Sequence, residues 1–207
     1  MTTDKQIIGR LEQGLGASRA AFDSDGKLRD RLAALAEREG LLDVAYRTID
    51  SPLGPLLLAS TAKGLVRVAF SREDHDSVLS HLALDVSPRI LRTPLRLDRA
   101  ARQLDEYFAR KRRAFTVPVD LRLARGFRRS VLLHLRDIPY GETRSYTALA
   151  KAAGNPSAVR AAASACSHNP LPLVVPCHRV VRSDGTVGEY LGGPEAKRAL
   201  LALEAAP

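Results

Sequence analysis

The sequence has no tryptophan, one methionine and only two cysteines among 207 residues. Two cysteines are too few for a disulfide-built scaffold, and Cys166 and Cys177 do not form a CxxC pair. The five histidines, His75, His81, His134, His168 and His178, lack zinc-finger spacing, so no metal site is expected. No apolar run approaches the ~20 residues that span a bilayer, and no membrane partner is expected. Met1-Thr2-Thr3-Asp4-Lys5 is not a basic stretch leading into an apolar run. A secretory signal is therefore not expected, and the cytoplasm is the expected location. Internal repeats and low-complexity linkers are missing too.

Negative charge is the scarcer sign. Asp and Glu number 23 against 32 Lys and Arg, a net charge of +9. That excess favours polyanionic partners and speeds encounter with them, although many basic proteins never touch nucleic acid. Apolar residues make up 45% and charged residues 27%, the balance of a folded globular chain with one large domain or two small ones.

Hydrophobic spacing divides the chain. In residues 1–43, Ile7, Ile8, Leu11 and Leu15 share one helical face, and Leu28, Leu32 and Leu35 another, with Gly40 as a stop. From Val44 the period shortens. Residues 44–50, 55–60 and 65–70 read as strands of an antiparallel meander, with turns at Ser51–Gly54 and Lys63-Gly64. A helix over 97–109 follows, with Leu97, Ala101, Leu104 and Phe108 on one side. It ends in Arg110-Lys111-Arg112-Arg113, a composition that suits a solvated helix end. Residues 115–121 form a fourth extended piece, at an edge because of Pro118. Beyond Gly126 the pattern is helical: 127–135, 145–153, 156–168 with Pro156 at its first position, and 197–204.

Two of these helices, separated by Gly154-Asn155, resemble a helix-turn-helix. The second reads AVRAAASACS from Ala158 to Ser167, and Arg160 is its only long side chain. A major-groove recognition helix needs several side chains that reach base edges. A bare helix with one cation fits close approach to a minor groove, with Arg160 inserted in the base stack, or equally an Ala-rich helix packed on its neighbour. After it, an apolar stretch bounded by prolines delivers Cys177 beside His178. A thiolate is the nucleophilic form of cysteine, and an imidazole oriented by a third group can take the thiol proton. Adjacent side chains in an extended segment point apart, so a bridging water fits better than direct contact.

The segments Tyr46–Gly54, Ile138-Pro139-Tyr140-Gly141-Glu142-Thr143, Asn169-Pro170, Pro176-Cys177-His178-Arg179-Val180-Val181 and Gly188–Gly193 occur in one order and spacing. In this the sequence resembles the methylated-DNA–protein-cysteine methyltransferases, also called O6-alkylguanine-DNA alkyltransferases, from Tyr46 to Glu204. The resemblance implies an α+β fold. Residues 44–117 would form a ribonuclease-H-like domain on a small antiparallel sheet. Residues 118–207 would form a mainly helical, winged-helix-like domain with the helix-turn-helix and the cysteine. Residues 1–43 lie outside the resemblance as a helical extension.

The same resemblance assigns roles. Cys177 is the alkyl acceptor, His178 its base through water, Glu204 the carboxylate that orients His178, and Asn169 the brace of the active-site turn. Tyr146 rotates the nucleotide and hydrogen-bonds the base. Arg160 fills the gap left in the stack, which favours the minor-groove reading of its helix. Tyr190, Leu191 and Gly192 belong to the loop that closes over the base, and main-chain groups at Val180 and Leu191 read the guanine edge. Ser145, Ala161 and Arg179 complete the expected substrate and DNA contacts. Leu132 stands where the family usually has Trp, Ala163 where Gly is usual, and Glu189 where Gly or Asn is commoner. Cys166 aligns near the base pocket.

The implied activity is irreversible, stoichiometric transfer of an alkyl group from O6-alkylguanine in double-stranded DNA to the protein's own cysteine after nucleotide flipping, without a cofactor. The protein is expected to be a monomer in solution, with clustering on DNA left open. Two rivals predict different behaviour. A lesion sensor would bind alkylated DNA without needing Cys177, and a Cys-His-Glu hydrolase would turn over repeatedly without needing Arg160.

Overall fold

The computed structural model describes residue 28 and residues 31–205. The chain divides into two units, Met1–Leu42 and Asp43–Pro207. In the first, residues 31–38 are helical and Gly40 follows at φ +66°. The helix expected around Ile7–Leu15 lies outside the described residues.

The second unit opens with three strands: β1 (Val44–Ile49), β2 (Leu56–Thr61) and β3 (Gly64–Phe70). They pair antiparallel, as expected from three short strands joined by tight turns. A fourth strand, β4 (Ile90–Arg92), pairs parallel with β1, giving the order β3-β2-β1-β4. The sheet is therefore mixed rather than purely antiparallel. A parallel neighbour needs a crossover, supplied by helix α1 (His75–Asp85). Neither β4 nor α1 stands out in the sequence, because α1 turns only Val78 and Leu82 inward and β4 is three residues long.

All of β2 is buried, because both faces of the sheet are covered. Leu57 and Ala59 pack with Val78 and Leu82 of α1. Leu56 and Leu58 face the larger core, which includes Leu97 and, from helix α2 (Asp98–Phe108), Leu104 and Tyr107. The expected extended piece at 115–121 makes one parallel bridge, Leu65 to Val119, at the β3 edge. Gly64 has φ +135° there, and a Cβ on it would lie 2.3 Å from the Pro118 carbonyl oxygen, so only glycine fits.

The remaining helices are α3 (Gly126–Leu135), α4 (Tyr146–Ala152), α5 (Val159–Ser167) and α6 (Pro194–Ala205). Leu132 is fully buried among the residues that α3 contributes to the core. Helix α5 packs against α3 and α4. It begins three residues later than the sequence suggests. Pro156 sits inside a turn closed by the Ala158 N–H donating to the Asn155 carbonyl at 3.0 Å, instead of opening the helix. Helix α6 begins earlier, because Pro194 takes a first-turn position where its missing N–H has no cost. The large core runs without a break from Ile49 to Leu200, joining the sheet half to the helical half.

Candidate active site

Two short strands position the chemistry. β5 (Arg144–Ser145) pairs parallel with β6 (Val180–Val181). Tyr146 follows β5 directly, and Cys177 lies just before β6, so this pairing brings the start of α4 to the cysteine. The Ser145 hydroxyl accepts a hydrogen bond from the Ala148 N–H and caps α4. This gives Ser145 a local structural task besides its expected DNA contact.

The approach to Cys177 is a folded turn rather than an extended strand. Leu173 has φ +72°, and the Cys177 N–H donates to the Val175 carbonyl at 2.8 Å. Residues Cys177–Arg179 form a single 3-10 turn. Such backbone persists only where its surroundings over-determine it. Here Asn169 does so. Its Nδ2 donates to the Val175 carbonyl at 2.8 Å and to the Cys177 sulfur at 3.1 Å, and its Oδ1 accepts from the Leu171 N–H at 3.0 Å.

Burial raises the Cys177 thiol to about 11, against the hydrogen bond from Asn169 and the positive charge of Lys197. The resting group is thus a thiol that needs a base. His178 is fully buried, and its Nε2 lies 2.9 Å from Glu204 Oε1. The hydrogen-bond network assigns the proton to Nε2, because its partner is a carboxylate oxygen. Nδ1 has no hydrogen-bond partner among the described residues, so its lone pair is free to take a proton. Burial lowers the pKa of His178 below its usual value, outweighing the raising effect of Glu204. The ring is therefore neutral at pH 7 and competent as a base.

Glu204 is the most heavily bonded carboxylate in this region. Oε1 accepts from Tyr107 Oη at 2.7 Å, His178 Nε2 at 2.9 Å and Arg179 Nη2 at 2.9 Å. Oε2 accepts from Arg179 Nε at 2.8 Å and the Gly141 N–H at 3.2 Å. Burial alone would raise its pKa. The hydrogen bonds from His178 and Arg179 win and hold it well below the usual carboxylate range.

Arg179 is held inward. Its guanidinium is 7% exposed, pairs with Glu204 and donates from Nη1 to the Ile138 carbonyl at 2.6 Å. Three of its five N–H donors are thus taken up inside the protein, which gives Arg179 a structural task beside its expected DNA contact. Tyr190 also differs from a simple lid. It is buried edge-on to Phe70 and His178, with ring centroids 5.6 and 6.2 Å away. Gly192 is set against Phe70, where an added Cβ would meet the ring at 2.9 Å. Leu191, Gly192 and Val180 lie on the segments flanking the cysteine, with Leu191 and Gly192 half-buried and Val180 fully buried.

Tyr146 is half-buried, and burial together with the thiols of Cys166 and Cys177 pushes its hydroxyl up to about 12. It stays protonated and can donate a hydrogen bond. Arg160 and Ala161 are exposed on α5, Ala163 is half-buried, and Cys166 is a buried free thiol on the inner side of the same helix. Glu189 is exposed. Beside α5 an open cleft of about 740 Å³ is lined by Arg122, Arg125 and Arg128, with Asp85 and Ser164. These arginines add a basic flank to the helix.

Two functional side chains escape sequence reasoning. Lys197 is fully buried, stacks over the Tyr146 ring and donates to the Val180 carbonyl at 2.5 Å. Its signal is helical spacing, because Lys197, Leu200 and Glu204 fall on one face of α6. Tyr107 sits one turn after Leu104 on the inward side of α2, and its polar tip is the only hint that this position is more than core.

Comparison with known proteins agrees with this geometry. The family described as 6-O-methylguanine DNA methyltransferase matches twice, through its ribonuclease-like domain over residues 44–121 and its DNA binding domain over residues 126–206. The methylated-DNA–protein-cysteine methyltransferase of Mycobacterium tuberculosis H37Rv is 41% identical over 161 residues, covering 78% of this chain and 92% of that protein. The Methanosarcina barkeri methyltransferase is 38% identical over 162 residues, covering 77% and 96%. The crystal structure of Mycobacterium tuberculosis OGT in complex with DNA superposes with a TM-score of 0.66 at 40% identity, covering 78% of this chain and 92% of that one. The chain belongs to the methylated-DNA–protein-cysteine methyltransferase family.

Proposed function

We propose that this protein repairs O6-alkylguanine in duplex DNA by moving the alkyl group onto Cys177, once per molecule. The observation that carries the reading is the constellation at the active-site turn. Cys177 is braced by Asn169, and His178 has a free Nδ1 and an Nε2 fixed on Glu204. The S–H proton passes to His178 Nδ1, through water where the two do not touch. The sulfur bonds the alkyl carbon, the carbon–O6 bond breaks, and its electron pair stays on guanine. The imidazolium proton then neutralises the base, while Tyr146 donates a hydrogen bond to it as charge grows. The product thioether is stable, so there is no turnover.

A guanine inside a duplex cannot present O6 to a buried thiol, so the nucleotide must be flipped out. The small side chains of α5 let that helix approach a minor groove, with Arg160 held in the vacated stack. The cleft arginines supply phosphate contacts, which makes binding salt-sensitive. The acting form is a monomer, located in the cytoplasm with the DNA it repairs.

The test is the intact mass after incubation with a duplex carrying one O6-methylguanine, followed by peptide mapping. A gain of one methylene on Cys177, saturating at one per molecule and absent in Cys177→Ala, supports the reading. Tight binding of the lesion without a mass change replaces it with a sensor.

A further inference from the structure

Tyr107 belongs to the sheet half of the protein, yet its hydroxyl reaches the proton-transfer pair of the other half. It is fully buried, with its ring against Phe108, Phe115 and Tyr140 at centroid separations of 5.5, 5.3 and 6.1 Å. Its Oη donates to Glu204 Oε1 at 2.7 Å and lies 3.5 Å from His178 Nε2. A buried phenol needs an acceptor, and the one this hydroxyl takes is the carboxylate oxygen that orients the histidine.

We propose that Tyr107 is a positioning residue for alkyl transfer, whose hydroxyl tunes the basicity of His178 through their shared Glu204 oxygen. This rests on the reading that His178 is the base for Cys177.

A carboxylate offers about four lone-pair sites, and Glu204 accepts five hydrogen bonds from Tyr107, His178, Arg179 and the Gly141 N–H. The carboxylate is saturated. It stays an anion and does not take the proton that His178 receives from the thiol. Every donor on Oε1 also divides the negative charge that this oxygen presents to the imidazole. Removing the Tyr107 hydroxyl gives His178 a larger share, which stabilises its protonated form and makes the neutral base scarcer at a given pH.

Several other charged or titratable groups act on this ring. Glu204 raises its proton affinity, while Arg179 beside it and Lys197 of α6 lower it. Tyr190 packs edge-on to the ring, and Tyr140 and Glu73 lie further out against Tyr107 and Tyr190. None of these changes in a Tyr107 substitution. Tyr107 is therefore a clean place to vary a single donor.

The experiment is the pH dependence of single-turnover methyl transfer from an O6-methylguanine duplex, in the full chain. Tyr107→Phe keeps the ring and removes the donor. The acid limb of the rate should move to higher pH by roughly half to one unit, less than the roughly one to two units that a hydrogen bond to a charged group is worth, because the lost donor acts on His178 only through the oxygen they share. Site-specific fluorotyrosine at 107 is a stronger donor and should move the limb to lower pH. Opposite shifts from two nearly isosteric rings cannot come from packing. An acid limb that stays fixed in both variants, or moves the same way in both, overturns the proposal.

A titration of the His178 ring by NMR without DNA reads the same tuning independently of transfer. If the unsubstituted protein gains no methyl group, the functional reading fails. The His178 shifts then still decide whether Tyr107 tunes the ring. If Tyr107→Phe does not fold, the fluorotyrosine protein alone decides, through the presence or absence of its downward shift.

Discussion

The side-chain amide of Asn169 holds the Cys177 sulfur at 3.1 Å while its other N–H ties down the Val175 carbonyl. One residue therefore fixes the turn and stabilises the thiolate as it forms. A hydrogen bond to a charged group contributes about 1.5–3 kcal/mol, so Asn169→Ala should slow transfer by about 10- to 100-fold. Single-turnover mass spectrometry measures the rate. An unchanged rate would show that the sulfur needs no donor.

Lys197 acts on the same sulfur from α6 by charge rather than by contact. Burial lowers its own pKa, and the two thiolates would raise it. Lys197→Met keeps the length and removes the charge. The Cys177 thiol should then titrate above its present value of about 11, read as thiolate absorbance in a Cys166→Ser background. A midpoint that does not rise would mean the ammonium is screened from the sulfur.

Arg179 looks like a DNA contact in the sequence, because it is an arginine inside the motif. The buried pair with Glu204 gives it a structural task as well. Breaking a buried ion pair on one side costs about 3–5 kcal/mol. Arg179→Met should lower the urea midpoint accordingly, with little change in the duplex affinity of the folded fraction. Lost affinity at full stability would return Arg179 to the DNA surface.

Arg160 should behave in the opposite way. It is exposed on a helix of small residues and makes no contribution to the core. Arg160→Ala should cut transfer from an O6-methylguanine duplex at least tenfold, about 1.4 kcal/mol, while transfer from the free modified base stays unchanged. Replacing Arg122, Arg125 and Arg128 in the cleft should flatten the salt dependence of binding. Equal losses on duplex and free base would place Arg160 in the chemistry rather than in the DNA interface.

These contrasts show which parts of the molecule were legible in the sequence. Strands β1 to β3 are short apolar runs bounded by turn residues and can be read directly, and Cys177, His178, Asn169 and Glu204 stand in a recognisable order. The structure brings those four together through contacts between elements far apart in the chain. Helix α1 was hidden because it buries only Val78 and Leu82 and carries polar residues elsewhere. Strand β4 was hidden because three residues hold no period, and with it the parallel pairing that makes the sheet mixed. Tyr107 and Lys197 were missed because their roles depend on tertiary neighbours. A tyrosine one turn after Leu104 reads as core until Glu204 is found beside its hydroxyl.

The buried pair also sets how the fold answers to acid. The folded pKa of His178 is depressed below 6.5, so an unfolded chain takes up a proton that the folded one refuses. Its contribution is complete above pH 6.5 and declines as the pH falls through the folded value. Glu204 has the same sign, because its folded pKa is held well below 4.5. Its contribution is complete above pH 4.5 and is lost on further acidification. Stability should therefore fall in two stages, beginning near pH 6.5 and steepening below 4.5. The slope is up to about 1.4 kcal/mol per pH unit for each proton taken up. Urea midpoints from pH 8 to pH 3.5 measure this directly. Glu204→Gln should reduce the steepening below 4.5 in an already weakened protein, leaving the share of Asp43, Asp120 and Asp184, whose folded pKa values are also lowered, and a midpoint that stays level from pH 7 to pH 4 would contradict the linkage.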